Sequence, residues 1–363
     1  MSKKITTVLG DIAPEELGFA SLHDHTVLTF GTTAEYMKTI FFDVDPAQLT
    51  FTPENYAYLK TGTFLLSDGL QVIDNVDELA DEYAWFKKLG GNAVVDPLPC
   101  NVRILGYAEK VMELSRRTGL HFVTATGFYH DSAIPAELKE HDVDFYYNIM
   151  KKEITDGIEG TSVRPGCLKG AFNTCSQTER NIVEACIRLT AETGLSTHIH
   201  TEPTVDGEEL VAILDELCEK YGVAHERVHV CHLDNRIVAG TMVMDFLEDF
   251  DTQRTLDLEV HKALLSRGYT IGLDTWGMPI QNENMFMPDD FDRVKALVTL
   301  LDLGYEDQIT LGNDFSSKIE WRKYGGYGCT RFADFGLRLL ELMGREEQAH
   351  KLVYENPARI LAY

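Results

Sequence analysis

Two histidines one residue apart, in Ser21-Leu22-His23-Asp24-His25, are the first residues of this chain that could do chemistry. In an extended strand alternate side chains share a face, so both imidazoles would point the same way and could hold one metal ion. Alone, such a pair is common by chance. Three further segments carry ligand-type residues: Thr197-His198-Ile199-His200, Cys231-His232 and Gly312-Asn313-Asp314. A lysine, Lys169, stands in the apolar run 166–171, where a charged amine is costly unless paired. It is either the partner of a buried acid or a reactive amine of lowered pKa. A neutral amine can take up carbon dioxide as a carbamate, an anion able to bridge two cations.

These residues can meet only if the chain brings several strand ends to one place. Eight short runs read as strands: residues 20–25, 93–97, 121–127, 166–171, 195–201, 228–233, 269–274 and 308–314. Helical patterns with apolar residues at three-and-four spacing lie between most of them, as in 76–88, 179–193 and 207–221. Alternating strands and helices predict a (β/α)₈ TIM barrel, one domain over residues 1–363. A doubly wound sheet is the rival, but no G-x-G-x-x-G follows an early strand. Enzymes on the barrel fold place their chemistry at the C-terminal strand ends, where His23, His25, Lys169, His200, His232 and Asp314 would converge. Two stretches exceed a minimal barrel: 26–75 after strand one, and 235–259 after strand six, with the acidic run Asp245 to Asp251. Both read as lid or interface elements, the acidic run as an exposed helix face.

Composition sets the outer limits. The chain has 363 residues, 44% of them hydrophobic, enough for a sizeable core. Its formal charge of −25, from 58 acidic and 33 basic side chains, argues against nucleic acid or anionic membrane as partners. The first residues lack a continuous apolar core, and no run of about 18 apolar residues occurs, so neither a secretory signal nor a transmembrane helix is expected. Seven scattered cysteines without C-x-x-C read as reduced thiols of a cytoplasmic protein.

The ordered set of motifs resembles the phosphotriesterase-like members of the amidohydrolase superfamily over essentially the whole length. It comprises Thr7-Val8-Leu9-Gly10-Asp11-Ile12, Glu16-Leu17-Gly18, His23-Asp24-His25, Gly90-Gly91-Asn92 and Ala125-Thr126-Gly127-Phe128-Tyr129. Lys169, Thr193-Gly194 with His200, Cys231-His232-Leu233-Asp234, Asp314, Lys318, Tyr324-Gly325-Gly326-Tyr327-Gly328 and Asn356-Pro357-Ala358-Arg359 complete it. The resemblance implies a two-metal centre. His23, His25 and Asp314 would hold the buried ion, His200 and His232 the exposed one, and carboxylated Lys169 would bridge both. It further implies a metal-bridging hydroxide as nucleophile, Asp314 as its proton acceptor, zinc as the metal, and a homodimer; the mixed nitrogen and oxygen ligands suit manganese, cobalt or iron as well. His198 shares parity with His200. The spacing from Gly194 favours His200, counting back from Asp206-Gly207-Glu208 favours His198, and His200 is preferred because it ends the strand. His229 reads as structural, His121 starts a strand at the wrong end of the barrel, and His130 is placed to touch substrate.

The organophosphate-hydrolysing type of this family relays protons through a histidine after strand seven and an aspartate three residues after the strand-six histidine. Here those positions read Thr275 and Asn235, neither of which takes up a proton near neutral pH. That moves the expectation from a phosphotriesterase to a hydrolase of a lactone or carboxylic ester, with anionic and sugar-derived compounds among the candidates; an amidase on a small N-acyl compound stands close behind. Lys318 and Arg322, with Arg236, are the expected anchors for an anionic substrate group, and Tyr129, Trp276 and Tyr324 the expected pocket walls. A barrel that only binds a small molecule is the non-enzymatic rival.

Overall fold

The chain is described by a computed structural model over residues 3–29, 44–239, 243–249, 255–278, 280–281 and 286–363. Eight parallel strands form one sheet. They are β1 (Ala20–Ser21), β2 (Ala93–Asp96), β3 (His121–Gly127), β4 (Cys167–Phe172), β5 (Ser196–Thr201), β6 (Val228–Val230), β7 (Thr270–Leu273) and β8 (Ile309–Leu311). Each lies beside its sequence neighbour. The two edges meet: Leu22 N donates to Leu311 O at 2.9 Å and Asp314 N to His23 O at 3.0 Å. The fold is the expected TIM barrel.

Helices α1 (Val76–Lys88), α2 (Tyr107–Thr118), α3 (Val143–Asp156), α4 (Gln177–Thr193), α5 (Gly207–Tyr221), α6 (Glu259–Leu265) and α7 (Asp290–Asp302) follow the strands. Their apolar stripes pack on outward strand residues such as Val94, Phe122, Ile199 and Ile271. Local signals start the helices where the sequence places them. Ser176 and Glu179 form a reciprocal capping box on α4. All seven cysteines are unpaired, six of them buried. No described helix is long and apolar enough to cross a membrane.

Several strands are shorter than their apolar runs. β1 ends at Ser21, but the chain stays extended: Leu22 N bonds to β8 and Asp24 N donates to Val95 O at 3.0 Å. His23 and His25 therefore keep one face, while Asp24 turns to the other. There Asp24 accepts from Ser21 Oγ at 2.5 Å and Phe315 N at 3.0 Å, pinning the chain after β8 to that after β1.

The stretch after β1 folds into short helices, Tyr56–Leu59, Thr63–Leu66 and Asp68–Gln71. Their Leu59, Phe64 and Leu70 cover Ile319, with Tyr324 at the edge. After β6 a helix spans Val243–Glu248. Residues 30–43 of the first insertion, and 240–242 and 250–254 of the second, including Asp251 of the acidic run, lie outside the described residues.

Two glycines let strands approach at the level of the site. Gly312 passes so close to β1 that a Cβ would stand 2.6 Å from His23 O. Gly127 has φ +149°, and a Cβ there would run into the carbonyl oxygen of Lys169. Gly127→Ala is expected to cost about 3 kcal/mol or more, from backbone strain together with displacement of β4. Thermal unfolding of the variant checks this, and an unchanged transition would contradict it.

Candidate metal centre

The first cluster forms where β1 and β8 end. His23 Nε2 lies 3.6 Å from Asp314 Oδ1 and His25 Nε2 lies 3.2 Å from the same oxygen. These ligand atoms fall within 4.8 Å of one another, a spacing that one cation could span. The other ring nitrogens are taken. His25 Nδ1 faces Asp96 Oδ1 at 3.1 Å and His23 Nδ1 faces Asp274 Oδ2 at 3.0 Å. A carboxylate accepts, so each Nδ1 carries the proton and each Nε2 turns a lone pair inward where the ring is neutral.

Asp274 reaches a second ligand as well. Its Oδ1 lies 2.9 Å from His232 Nδ1 and accepts from His232 N at 2.8 Å. The His232 backbone is left-handed, with φ +60°, which breaks strand alternation and sends both Cys231 and His232 inward. Asp314 is left-handed too, at φ +52°. His200 stands beside His232, ring centres 4.5 Å apart, with Nε2 held by Glu202 Oε1 at 2.9 Å. His198 lies one layer deeper, against His229.

Electrostatics follow from burial and pairing. Burial, with Lys169 nearby, keeps His23 well below the usual imidazole range. Burial opposes the charge on His25, but Asp314 and Asp96 outweigh it and raise its pKa to about 9. Burial likewise pushes against ionised Asp274 and Asp314. For Asp274 the two histidines prevail; for Asp314, His232, His25 and His23 do. The carboxylates thus stay ionised around imidazoles, a donor set that suits a divalent cation.

Lys169 is buried with its Nζ 3.4 Å from His23 Nε2. Among the described residues no carboxylate forms an ion pair with it, so the paired-acid reading finds no partner. Its place beside His23 brings it to the same centre as the other five.

The positions of the absent relay are filled by a fixed network. Thr275 Oγ1 lies 2.8 Å from Asn235 Oδ1 and 2.9 Å from Asp234 Oδ2. Buried Arg293 donates to the same Asp234 oxygen at 3.0 Å, opposing without overcoming the burial that raises the pKa of Asp234.

The expected substrate residues divide. Tyr129 stacks edge-on to His200, centres 5.0 Å apart, within the site. Lys318 is half-buried after β8, and its side chain forms no hydrogen bond or ion pair among the described residues. Tyr324 packs on Phe51 of the insertion after β1, centres 4.9 Å apart. Arg236 donates to Val205 O at 2.8 Å, in the loop after β5. Two placements correct the expectation. Trp276 is not a pocket wall: it is buried in the core, donates to Leu273 O at 3.0 Å and packs against Gly336. Arg322 turns to the barrel's flank, where Asp334 accepts at 2.8 Å and the Trp85 ring of α1 lies beneath it.

The supporting acids Asp274, Asp96 and Glu202 were not picked out as site residues. A signal exists for the first two: each is an aspartate ending an apolar run, as Asp314 is, and a carboxylate there needs a donor.

Comparison with known proteins gives this geometry a lineage. The family model described as Phosphotriesterase family matches residues 3–361. The chain belongs to this family. It is a hydrolase, and its full-length relatives agree. An N-acetyltaurine hydrolase of Salmo salar is 25% identical, with 100% of this chain and 99% of that protein covered. Among solved structures, a resiniferatoxin-binding protein from Rhodobacter sphaeroides superposes with a TM-score of 0.79 at 22% identity, covering 99% of this chain and 94% of that one. A lactonase from Listeria monocytogenes gives 0.72 at 22% identity, covering 99% and 98%.

Two outcomes test the centre. Asp274→Asn, which leaves His23 and His232 without their shared anion, is expected to weaken metal binding about 10- to 100-fold, read by competition with a chelating dye. His25 carries a proton below about pH 9 that a cation must displace. Metal uptake should therefore release protons and strengthen as pH rises toward 9, then level off. An affinity flat between neutral pH and 9 would contradict that.

Proposed function

We propose that this hydrolase cleaves a small carboxylic substrate, a lactone or carboxylic ester carrying an anionic group, at a site for two divalent cations. His23, His25 and Asp314 would hold one cation, His200 and His232 the other, with carboxylated Lys169 between them. Zinc suits this mixed set, as manganese, cobalt or iron would. Cations bound there supply Lewis acidity to the carbonyl and lower the pKa of water.

The residues of the chain do the rest. Asp274 and Asp96 hold the imidazoles in register. Asp314, kept ionised by the histidines around it, is the group to accept a proton and pass it to the leaving oxygen. Tyr129 beside His200 forms a wall, and Lys318 is the cation left to receive an anionic group.

The observation that carries the carbonyl reading is the Thr275–Asn235 contact at 2.8 Å. Locked to each other and to Asp234, these side chains offer no proton relay for a phosphotriester, which would be at most a side substrate. A second reading, an amidase on a small N-acyl compound, is favoured by the full-length relative named N-acetyltaurine hydrolase. Both need the same carbonyl chemistry.

A panel of lactones, esters, N-acyl amides and phosphotriesters, assayed on metal-loaded protein, separates these. Turnover should be highest on a carboxylic substrate with an anionic group. Asp314→Asn should lower kcat about 100-fold or more, and Lys318→Ala should raise KM with little change in kcat. A phosphotriester outpacing every carbonyl substrate would overturn the reading. So would protein holding well under one metal per chain after growth in zinc or manganese.

A further inference from the structure

A second cluster of metal-ligating atoms lies inside the barrel, apart from the six residues above. His198, His229 and Cys231 are fully buried between β5 and β6, where His198 pairs in register with Lys169 on one side and His229 on the other. His198 Nδ1 is 3.1 Å from His229 Nδ1, and Cys231 Sγ is 3.4 Å from that same His229 nitrogen. The three donor atoms lie within 4.8 Å of one another.

Hydrogen bonding can satisfy every imidazole nitrogen here but leaves the Cys231 thiol over. His229 Nδ1 has either one proton or one lone pair, yet it faces two groups. If protonated, it leaves the Cys231 thiol proton without an acceptor there; if not, one lone pair must take two donors. The far nitrogens are already engaged, His198 Nε2 with Ser196 Oγ at 3.1 Å and His229 Nε2 with Thr310 Oγ1 at 2.8 Å. Such outer partners are the support that metal-bound imidazoles receive. Around a tetrahedral ion with bonds of about 2.05 Å to nitrogen and 2.3 Å to sulfur, neighbouring donors stand about 3.3 Å (nitrogen to nitrogen) and about 3.6 Å (nitrogen to sulfur) apart. The two spacings at His229 Nδ1 are within about 0.2 Å of these, and the ligand atoms of all three residues fall within 4.8 Å of one another.

We propose that His198 Nδ1, His229 Nδ1 and the Cys231 thiolate form a separate, buried three-ligand site for one thiophilic cation, Zn(II) or Cu(I). Binding forms one bond from each donor and releases the Cys231 thiol proton to solvent. Soft thiolate with imidazole selects those ions over magnesium or calcium. Full burial means the ion enters as the barrel closes and resists chelators afterwards.

Cobalt is the probe. The proposed catalytic centre has only nitrogen and oxygen ligands, so a near-ultraviolet thiolate-to-cobalt band can come only from a cysteine. Full-length protein grown in cobalt-supplemented, zinc-poor medium is expected to show that band. It should survive chelation that strips the catalytic centre, vanish in Cys231→Ser, and persist in Cys167→Ser. Metal content in Cys231→Ser should fall by about one equivalent per chain, and elemental analysis after growth in rich medium distinguishes zinc from copper. Cobalt-grown wild-type protein without the band overturns the proposal even if the variant fails to fold, leaving a hydrogen-bonded core. The band is independent of the catalytic centre, so loss of activity with the band intact counts against the proposed function alone.

Discussion

The centre of this protein depends on one buried carboxylate shared by two imidazoles. Asp274, at the end of β7, takes His23 Nδ1 on one oxygen and both His232 Nδ1 and the His232 amide on the other. These are charge-assisted bonds between buried groups, where they are stronger than in water. They fix the tautomer of both rings and so decide which nitrogens face the site. They also explain the left-handed backbone of His232: an uncommon conformation for a non-glycine residue, costing on the order of 1–3 kcal/mol, is held by the bond its own amide makes to Asp274.

The same logic extends outward. Asp96 does for His25 what Asp274 does for His23, and Glu202 steadies His200. Asp24 gathers Ser21, Asn313 and Phe315, and thereby sets the turn that delivers Asp314. Each acid would be costly alone in this interior. Each is matched by donors, and the imidazoles held by Asp274, Asp96 and Glu202 are those that a cation would bring together. The proposed specificity rests on a different network, in which Arg293, Asp234, Thr275 and Asn235 are hydrogen-bonded to one another. Thr275 and Asn235 in that network take up no proton near neutral pH, which in the proposed reaction leaves proton transfer to Asp314.

Much of this was legible in the sequence because the signals are local. Short apolar runs between amphipathic stretches give a barrel, since each strand must be covered on its outer face. Histidine and aspartate at the ends of those runs converge because a parallel barrel puts all its C-terminal strand ends on one rim. Thr275 and Asn235 could be read as a missing relay because identity alone removes the proton chemistry.

Direction was decided only by the tertiary structure. No local pattern shows that His232 and Asp314 adopt left-handed backbone, or that Trp276 turns into the core and Arg322 onto α1. No pattern says that Asp274 joins residues 23 and 232, or that His198 faces His229 and Cys231 below the site. A side chain's direction at a strand end depends on its own φ and on partners hundreds of residues away. The sequence by itself determined which groups are available and on which rim they gather. The closed barrel decided which atoms of those groups face one another, because only closure brings β7, which pairs with β6, within reach of β1 as well.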